Sequence, residues 1–296
     1  MDNATRIRDG LVRRATGLPA WARWATSPYP PGHYHSPLPD RARALALRET
    51  EAPPDHLPGI DTRLAGQLDL LEELRGYAAD MPFGLEPRAG SRYHLDCGWF
   101  AHGDGIALYS LLRHFRPRRY LEIGSGWSSA CALDTADAHL DGDVEFTFVD
   151  PNPQRLRSLL RPDDKVQVID TPALSLDWSL FSHLEAGDVL FIDSSHVVKY
   201  GSEVNQLFLE ILPSLPAGVH VHVHDIFWPF GYPTAWVRRG WAWNEAYLLR
   251  GWLCDNRRAE ITWFNSYLAH AARDEVAAAL PGWGRDPGSS IWITTT

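Results

Sequence analysis

The sequence is poor in cysteine, and its cysteines have no spacing typical of a metal or redox site. Its three cysteines, Cys97, Cys131 and Cys254, are far apart, and no CxxC pair occurs. This spacing argues against a disulfide framework and against a cysteine-ligated zinc site. We expect all three to be reduced thiols of a cytoplasmic protein.

Long apolar runs and basic clusters are also missing. No segment approaches the roughly 18 consecutive apolar residues of a membrane helix, and the segment from Met1 to Arg8 has no apolar signal core. The formal net charge is −9, without the basic stripe that nucleic-acid binding requires. These absences predict a cytoplasmic protein that binds neither membranes nor nucleic acids, and they favour a small-molecule partner.

The first 90 residues differ from the rest of the chain. Proline-rich stretches at 28–39 and 51–58 cannot form central strands, whereas 40–49 and 62–79 have helical spacing of apolar residues. We predict a helical and irregular N-terminal extension over residues 1–90, serving as a lid or as a contact within a homo-oligomer. At 296 residues, the chain has room for one large α/β domain after it, over residues 91–296.

Short apolar segments alternate with helical segments through that second domain. Strands are predicted at 119–123, 144–149, 166–169, 187–192, 218–224, 260–264 and 291–294. Such alternation predicts a mostly parallel sheet with right-handed crossovers and helices on its faces.

A glycine turn follows the first of these strands. Gly124-Ser-Gly126 separates the strand from a helix that begins at Trp127, and the second strand ends on Asp150. Glycines let the backbone approach a ligand, and an acid after the second strand can accept both hydroxyls of a ribose. Ser129 occupies the third glycine position of the dinucleotide pattern G-x-G-x-x-G, which disfavours NAD.

Glu122-Ile-Gly124-Ser-Gly126 followed by Asp150 resembles the first two motifs of class I S-adenosylmethionine-dependent methyltransferases. The resemblance implies a Rossmann-like, seven-stranded, mostly parallel sheet and S-adenosylmethionine as cofactor. It also implies that the glycine turn lies against the methionine part of the cofactor and that Asp150 holds the ribose. The predicted cofactor-binding residues are Glu122, Gly124, Ser125, Gly126, Asp150, Asp170 and Asp193.

Four aspartates directly follow predicted strands: Asp150, Asp170, Asp193 and Asp225. A single acid at such a position is as often a helix cap. Four at one edge are harder to explain as caps, because ligands of open α/β sheets bind beyond the carboxyl ends of the strands. Asp170 is assigned to the border of the adenine ring.

Histidines lie close to the last two of these acids. Carboxylates together with imidazole suit Mg, Mn or Fe(II), so we predict a metal site formed by Asp193, His224 and Asp225. The layout resembles metal-dependent O-methyltransferases, including the macrocin-type sugar enzymes, although His224 stands where one related group has an acid. His196 is the predicted general base, because a histidine pKa lies near working pH, and Asp193 is the second predicted catalytic residue.

Other residues keep two interpretations. Lys199, Tyr200, Asn244 and Glu245 are candidates to face the acceptor, but Asn244 and Glu245 equally suit the start of a helix. The many tryptophans either pack loops onto the core or form an aromatic acceptor pocket within 228–243.

The expected function is methyl transfer from S-adenosylmethionine to an oxygen, less often a nitrogen, of a small polar molecule such as a sugar or natural product. Metal assistance is expected. Two alternatives remain open at this point. One is an iron-dependent oxygenase or hydroxylase on the same scaffold, and the other is a non-catalytic cofactor-binding partner of another enzyme.

Overall fold

The computed structural model describes Tyr29 and residues 31–50, 52–100 and 102–296. The described residues up to Ala52 form one compact unit with Pro233–Ala242, and Pro53–Tyr232 with Trp243–Thr296 forms the other. The predicted boundary at residue 90 differs from this division. Residues 1–28 of the predicted extension lie outside the described residues, and its role as a lid or subunit contact stays a prediction.

The helices are short or of medium length. In chain order they are α1 (Arg41–Thr50), α2 (Leu64–Leu74), α3 (His102–Phe115), α4 (Trp127–His139), α5 (Gln154–Leu159), α6 (Ser179–Ser182), α7 (Glu203–Gln206), α8 (Thr234–Arg239), α9 (Glu245–Leu253), α10 (Asn265–Ala271) and α11 (Arg273–Ala279). Helix α7 continues through a π-helical turn, Leu207–Ile211, into Leu212–Ser214. None of the helices in the described part of the chain has the length and apolarity needed to cross a bilayer.

Seven strands form one sheet in the order β3-β2-β1-β4-β5-β7-β6. They are β1 (Arg119–Ile123), β2 (Glu145–Val149), β3 (Val166–Ile169), β4 (Val189–Ile192), β5 (His220–Val223), β6 (Ala259–Phe264) and β7 (Ile291–Thr295). Strand β7 runs antiparallel to its neighbours β5 and β6. The predicted seven-stranded, mostly parallel Rossmann-like sheet is confirmed.

The register of the parallel strands places their carboxyl ends level with one another. Ile123 at the end of β1 pairs with Val149 of β2 and with Ile192 of β4. Ile192 in turn pairs with Val223 of β5. The residues that directly follow these strands therefore emerge along one edge of the sheet, where the sequence places its glycine turn and most of its conspicuous acids.

Helices α2, α3 and α4 contribute to the main core on one face of the sheet. Leu71 and Leu74 of α2 are fully buried in the same cluster as Tyr120 of β1 and Phe148 of β2. Because so much of its apolar side is buried there, α2 is part of the larger unit's core.

Helix α9 begins where Asn244 and Glu245 suit a helix start. Apolar residues have helical spacing from residue 241, but the helix begins at Glu245, with Asn244 at the N-cap position. Asn244 has a φ of −150° and a ψ of 6°, outside the helical region. Its side chain is bonded to the backbone of Val198, accepting from the nitrogen at 2.6 Å and donating to the oxygen at 3.3 Å. This long-range contact holds Asn244 outside the helix.

Candidate active site

The glycine turn after β1 is sterically required. Gly124 has a φ of +85°, and a Cβ there would lie 1.8 Å from the backbone oxygen of Asp193. The Gly124 nitrogen donates to the oxygen of Val149 at 2.8 Å. The turn after β1 is thus in direct contact with the turn after β4, which brings the predicted cofactor and reactive residues to one place.

Asp150 is fixed from both sides by nearby donors. The backbone nitrogen and the hydroxyl of Ser125 both donate to its Oδ2 at 3.0 Å. The nitrogen of Asn152 donates to Oδ1 at 2.7 Å. Each carboxylate oxygen has about two acceptor sites, so the oriented group retains capacity for ribose hydroxyls.

Two further residues of the turn have structural partners. Ser129, at the third glycine position, accepts a hydrogen bond from the Gly126 nitrogen at 3.0 Å and so satisfies the start of α4. Glu122 is fully buried beneath the turn, where Ser128 donates to its Oε1. Burial raises the pKa of Glu122 to about 8. Its side chain is therefore enclosed by protein rather than open to a ligand.

A cavity of about 370 Å³ opens at this edge of the sheet. Its size fits the range of small-molecule and cofactor sites. It is lined by Ile123, Gly124, Val149, Asp150, Pro151, Pro172, Ala173, Asp193, Ser194, Ser195 and Glu203. Asp170 does not line it, because its side chain is exposed and pairs with Arg157 Nη2 at 2.9 Å. The assignment of Asp170 to the adenine stays a prediction.

Two larger cavities lie away from this edge. One of about 710 Å³ lies between residues 59–63 and 253–261, and one of about 450 Å³ lies beside Arg119, Glu145 and His183. Neither contains a residue that follows the carboxyl end of a parallel strand. The smaller cavity is the candidate cofactor site, because ligands of such sheets bind at those ends.

His196 lies at the centre of the reactive residues. Its Nδ1 is 2.8 Å from Oε2 of Glu245, and its Nε2 is 3.2 Å from Oδ1 of Asp193. The same Nε2 is 3.6 Å from Oδ2 of Asp225. Trp243 stacks on the ring, with 4.3 Å between ring centroids. The imidazole is thus surrounded by three carboxylates and one indole.

Two residues of this cluster have left-handed backbone conformations. His196 has a φ of +58° and Asp225 a φ of +60°. Such conformations of non-glycine residues cost of order 1–3 kcal/mol each and concentrate at functional sites. The backbone nitrogens of Asn244 and Glu245 donate to the His196 oxygen at 3.0 and 3.2 Å, which holds the strained residue in place.

The ionisable groups of the cluster stabilise one another's charged forms. Burial lowers the pKa of His196, but hydrogen bonds to Asp193 and Glu245 outweigh it and raise the pKa well above its ordinary value. For Asp193, burial raises the pKa, while the His196 hydrogen bond and the charges of His224, His196 and Arg155 lower it below the ordinary value. The protonated form of His196 and the ionised form of Asp193 therefore stabilise each other.

The donor atoms of Asp193, His196 and Asp225 lie within 4.8 Å of one another, close enough for one metal ion. His224 is not in this group. Its Nε2 is 3.6 Å from Oδ1 of Asp225, and its buried Nδ1 lacks a hydrogen-bond partner among the described residues. The predicted set of Asp193, His224 and Asp225 stays a prediction, and the geometry adds His196 as a donor.

Sequence reasoning missed the partners that orient this cluster. Glu245 was a candidate acceptor contact or cap, but it contacts His196 from a position 49 residues away. Ser289, 64 residues from Asp225, donates to Asp225 Oδ1 at 3.0 Å. Its backbone nitrogen in turn donates to the buried Asp104 at 2.9 Å. No local pattern marks these pairs, because the fold alone brings them together.

Other predicted residues lie in different surroundings. Lys199 and Tyr200 are exposed, and neither lines the 370 Å³ cavity. His222 is fully buried and stacks on Phe191 at 3.7 Å, so it lies in the core. Trp228 is buried and donates to the oxygen of Pro54, whereas Trp243 contacts the reactive cluster. The tryptophans thus divide between packing and the site.

A sequence profile described as a methyltransferase domain matches residues 121–226. That span runs from within β1 to just past the end of β5 and includes the glycine turn, Asp150 and Asp193. The chain belongs to the class I S-adenosylmethionine-dependent methyltransferases. An uncharacterised protein of Archaeoglobus fulgidus is 31% identical over 164 residues, which cover 53% of this methyltransferase and 74% of that relative.

Solved structures with similar folds include three methyltransferases with bound cofactor or product. The S-adenosylhomocysteine-bound methyltransferase PaMTH1 of Podospora anserina is 17% identical, covering 87% of this chain and 94% of its own, with a TM-score of 0.41. The O-methyltransferase TomG of Streptomyces achromogenes, involved in tomaymycin synthesis and bound to S-adenosylmethionine, is 15% identical with a TM-score of 0.39, covering 80% and 92%. An O-methyltransferase of Bacillus cereus in complex with S-adenosylhomocysteine is also 15% identical, with a TM-score of 0.40 and coverage of 86% and 97%. Similarity at this level concerns the fold and identifies neither the acceptor nor a metal of this chain.

Proposed function

We propose that this methyltransferase transfers the methyl group to an oxygen of a small polar molecule, such as a sugar or natural product. The observation that carries the proposal is the position of Asp193. Asp193 lines the cofactor cavity, and its carboxylate is also hydrogen-bonded to His196. A methyl donor bound in the cavity and the proton acceptor His196 would therefore lie on either side of Asp193. Transfer to a hydroxyl requires the donor and the base to be close together in this way.

His196 is proposed to take the proton of the acceptor hydroxyl. Glu245 holds Nδ1 at 2.8 Å, which fixes the ring and directs Nε2 toward Asp193 and Asp225. A positioned base of this kind contributes about 10²–10⁴-fold to a rate. Trp243 covers one ring face, and Tyr232 meets Trp243 edge-on with 6.2 Å between centroids. These rings supply an aromatic wall for the acceptor.

The donor set fits a divalent cation of the Mg, Mn or Fe(II) type, because two carboxylates and an imidazole converge on one point. Asp193 and Asp225 would hold it with His224 as the nitrogen donor, so that Nε2 of His196 stays available as the base. Such an ion would acidify a bound hydroxyl and offset the negative charge that keeps His196 protonated.

The oxygenase alternative has less support. A two-histidine, one-carboxylate site needs a second histidine close to His196 and one acid. Among the residues that the structure describes, the convergent group has one histidine and two carboxylates.

Calorimetry with S-adenosylhomocysteine tests the cofactor part of the proposal. We expect micromolar or tighter binding, weakened about 10- to 100-fold by Asp150→Ala, because hydrogen bonds to a charged group contribute about 1.5–3 kcal/mol. Asp163→Ala is the matched comparison, since Asp163 is an exposed aspartate that does not line the cavity. Unchanged binding in Asp150→Ala would remove the ribose assignment.

The acceptor and the cation need a second experiment. Extract of the host is incubated with the enzyme and labelled S-adenosylmethionine, and newly methylated small molecules are identified. We expect O-methylated products, with turnover that EDTA reduces and a divalent ion restores. Turnover indifferent to chelation would remove the cation from the proposal, and His196 would then have to act as the base against the raised pKa that its carboxylate partners give it. Labelling of macromolecules alone would contradict the small-molecule acceptor.

A further inference from the structure

Arg155 and Trp99 form a pair beside the glycine turn that the proposed reaction does not yet use. Arg155 is in the first turn of α5, shortly after Asp150, and Trp99 precedes α3. The guanidinium carbon of Arg155 lies 5.0 Å from the centroid of the Trp99 ring, within the range of a cation–π contact. Trp99 itself is 69% exposed, which is unusual for an indole and leaves it available to a ligand.

The side chain of Arg155 lies against the bare backbone of Gly126. A Cβ at Gly126 would lie 3.0 Å from Cδ of Arg155 and 3.7 Å from its Nη1. Gly126 is the residue from which α4 begins, so the guanidinium is close to the positive end of that helix. The charge of Arg155 also contributes to the lowered pKa of Asp193, after the opposing effect of burial and after the larger contributions of His196 and His224.

Arg155 differs from the arginines that follow it. Arg157 pairs with Asp170, and Arg161 pairs with Asp134 and Asp137. Within the described ranges of the chain, Arg155 has no carboxylate within ion-pair distance. A guanidinium held on an indole beside the glycine turn, without an acidic partner, is suited to an anionic group of a ligand bound at that turn.

We propose that Arg155 binds the carboxylate of the methionine part of the cofactor, with Trp99 holding the guanidinium in position. This inference rests on the proposed cofactor placement, in which the glycine turn lies against the methionine part. The carboxylate is the negatively charged group of S-adenosylmethionine, and a guanidinium can bind it through two parallel hydrogen bonds. The pair would thereby distinguish the full cofactor from nucleosides that lack the carboxylate.

The test compares S-adenosylhomocysteine with its decarboxylated analogue by calorimetry. The wild type should prefer S-adenosylhomocysteine by roughly 10- to 100-fold, the usual size of a charge-assisted hydrogen bond. Arg155→Gln should weaken S-adenosylhomocysteine alone, so that the two affinities become similar. Arg155→Lys should restore part of the preference, because an ammonium keeps the charge but loses the paired geometry.

Arg118→Gln is the matched control. Arg118 is exposed just before the amino end of β1, at the opposite edge of the sheet, and its replacement makes the same change in net charge. It should leave both affinities unchanged. Trp99→Ala should lower the preference for S-adenosylhomocysteine while Trp99→Phe retains most of it, and thermal melting of each variant separates binding from folding.

Two results would overturn the proposal while leaving the cofactor assignment intact. In the first, Arg155→Gln weakens both ligands equally, which would mean a general effect on the cavity. In the second, the preference for the carboxylate persists without Arg155. If the wild type binds neither ligand, the proposed cofactor site fails and this inference fails with it.

Discussion

The cofactor side and the reactive side of this cleft are built differently. On the cofactor side, the main polar contact joins Ser125 to Asp150, 25 residues apart, and one of its two donors is a backbone amide. On the reactive side, ionisable side chains contact one another across 49 residues, from His196 to Glu245. The first depends on the path of the backbone, and the second on a balance of charge among buried groups.

This difference indicates what each side is sensitive to. Binding at the glycine turn should respond to steric changes, because the backbone itself makes the close approaches. The reactive side should respond to changes of charge or protonation, because each carboxylate there stabilises the His196 cation and is stabilised by it. Gly124, whose backbone meets that of Asp193, is where a steric change should affect both sides.

The largest expected effect is on the reactive side. His196→Ala should lower kcat for the acceptor found by methylation profiling by about 10²–10⁴-fold, because the proposed base is lost. Affinity for S-adenosylhomocysteine should stay close to that of the wild type. Glu245→Gln should lower kcat less, since it removes the charge that orients the ring and leaves the ring present. His183→Ala, at an exposed histidine, is the control, and loss of cofactor binding in His196→Ala would show that the two sides are not separable.

A steric change at the contact between the two sides should have the next largest effect. Gly124→Ala should lower the free energy of unfolding by more than the roughly 1–2 kcal/mol of a left-handed alanine, because its Cβ would also overlap the Asp193 oxygen. Gly142→Ala is the matched control, since Gly142 has a φ of +75° with no atom within 4 Å of the new Cβ. Urea unfolding and calorimetry measure both variants. Equal losses of stability would mean that the contact between the turns is unimportant.

The smallest effect on the reaction concerns Glu122 beneath the turn, where the expected change is in the stability of the fold. Its folded-state pKa of about 8 lies above the ordinary value of 4.5, so the folded protein retains a proton that the unfolded chain releases. This contribution to stability is complete below about pH 4.5 and is lost as the pH rises to about 8. Between these two pH values, the free energy of unfolding of the wild type should fall by on the order of a few kcal/mol relative to that of Glu122→Gln, which has no carboxyl group to ionise.

Urea unfolding of wild type and Glu122→Gln across this pH range gives the difference directly. Other titrating groups cancel in the comparison, because both proteins contain them. Parallel stability profiles would show that the buried carboxyl ionises at an ordinary pH.

Much of the fold was predictable because its signals are local. Alternation of apolar strands with helical segments indicated seven strands, and the structure has seven in a mostly parallel sheet. The glycines after β1 and the acid after β2 follow from their places beside strand ends. One of the two interpretations of Asn244 and Glu245 placed the start of α9 correctly. The bond between Asn244 and Val198, 46 residues apart, was not predictable in this way.

The candidate site was predictable in position but not in its internal pairing. A residue after a strand end is certain to lie at that edge, but its side chain can point into the cavity or away from it. Asp150 and Asp193 line the cavity, whereas Asp170 pairs with Arg157 on the outside. Sequence reasoning placed His224 beside Asp193 and Asp225, and the structure brings His196 there because its loop adopts a left-handed turn.

The sequence by itself determined the sheet, the glycine turn and the edge at which the ligands bind. These depend on periodicity and on backbone sterics within a few residues. The tertiary structure alone decided that Glu245 orients His196, that Ser289 holds Asp225, and that Arg155 lies between Trp99 and Gly126. Pairings between distant side chains depend on the three-dimensional paths of loops, and no spacing along the chain encodes those paths.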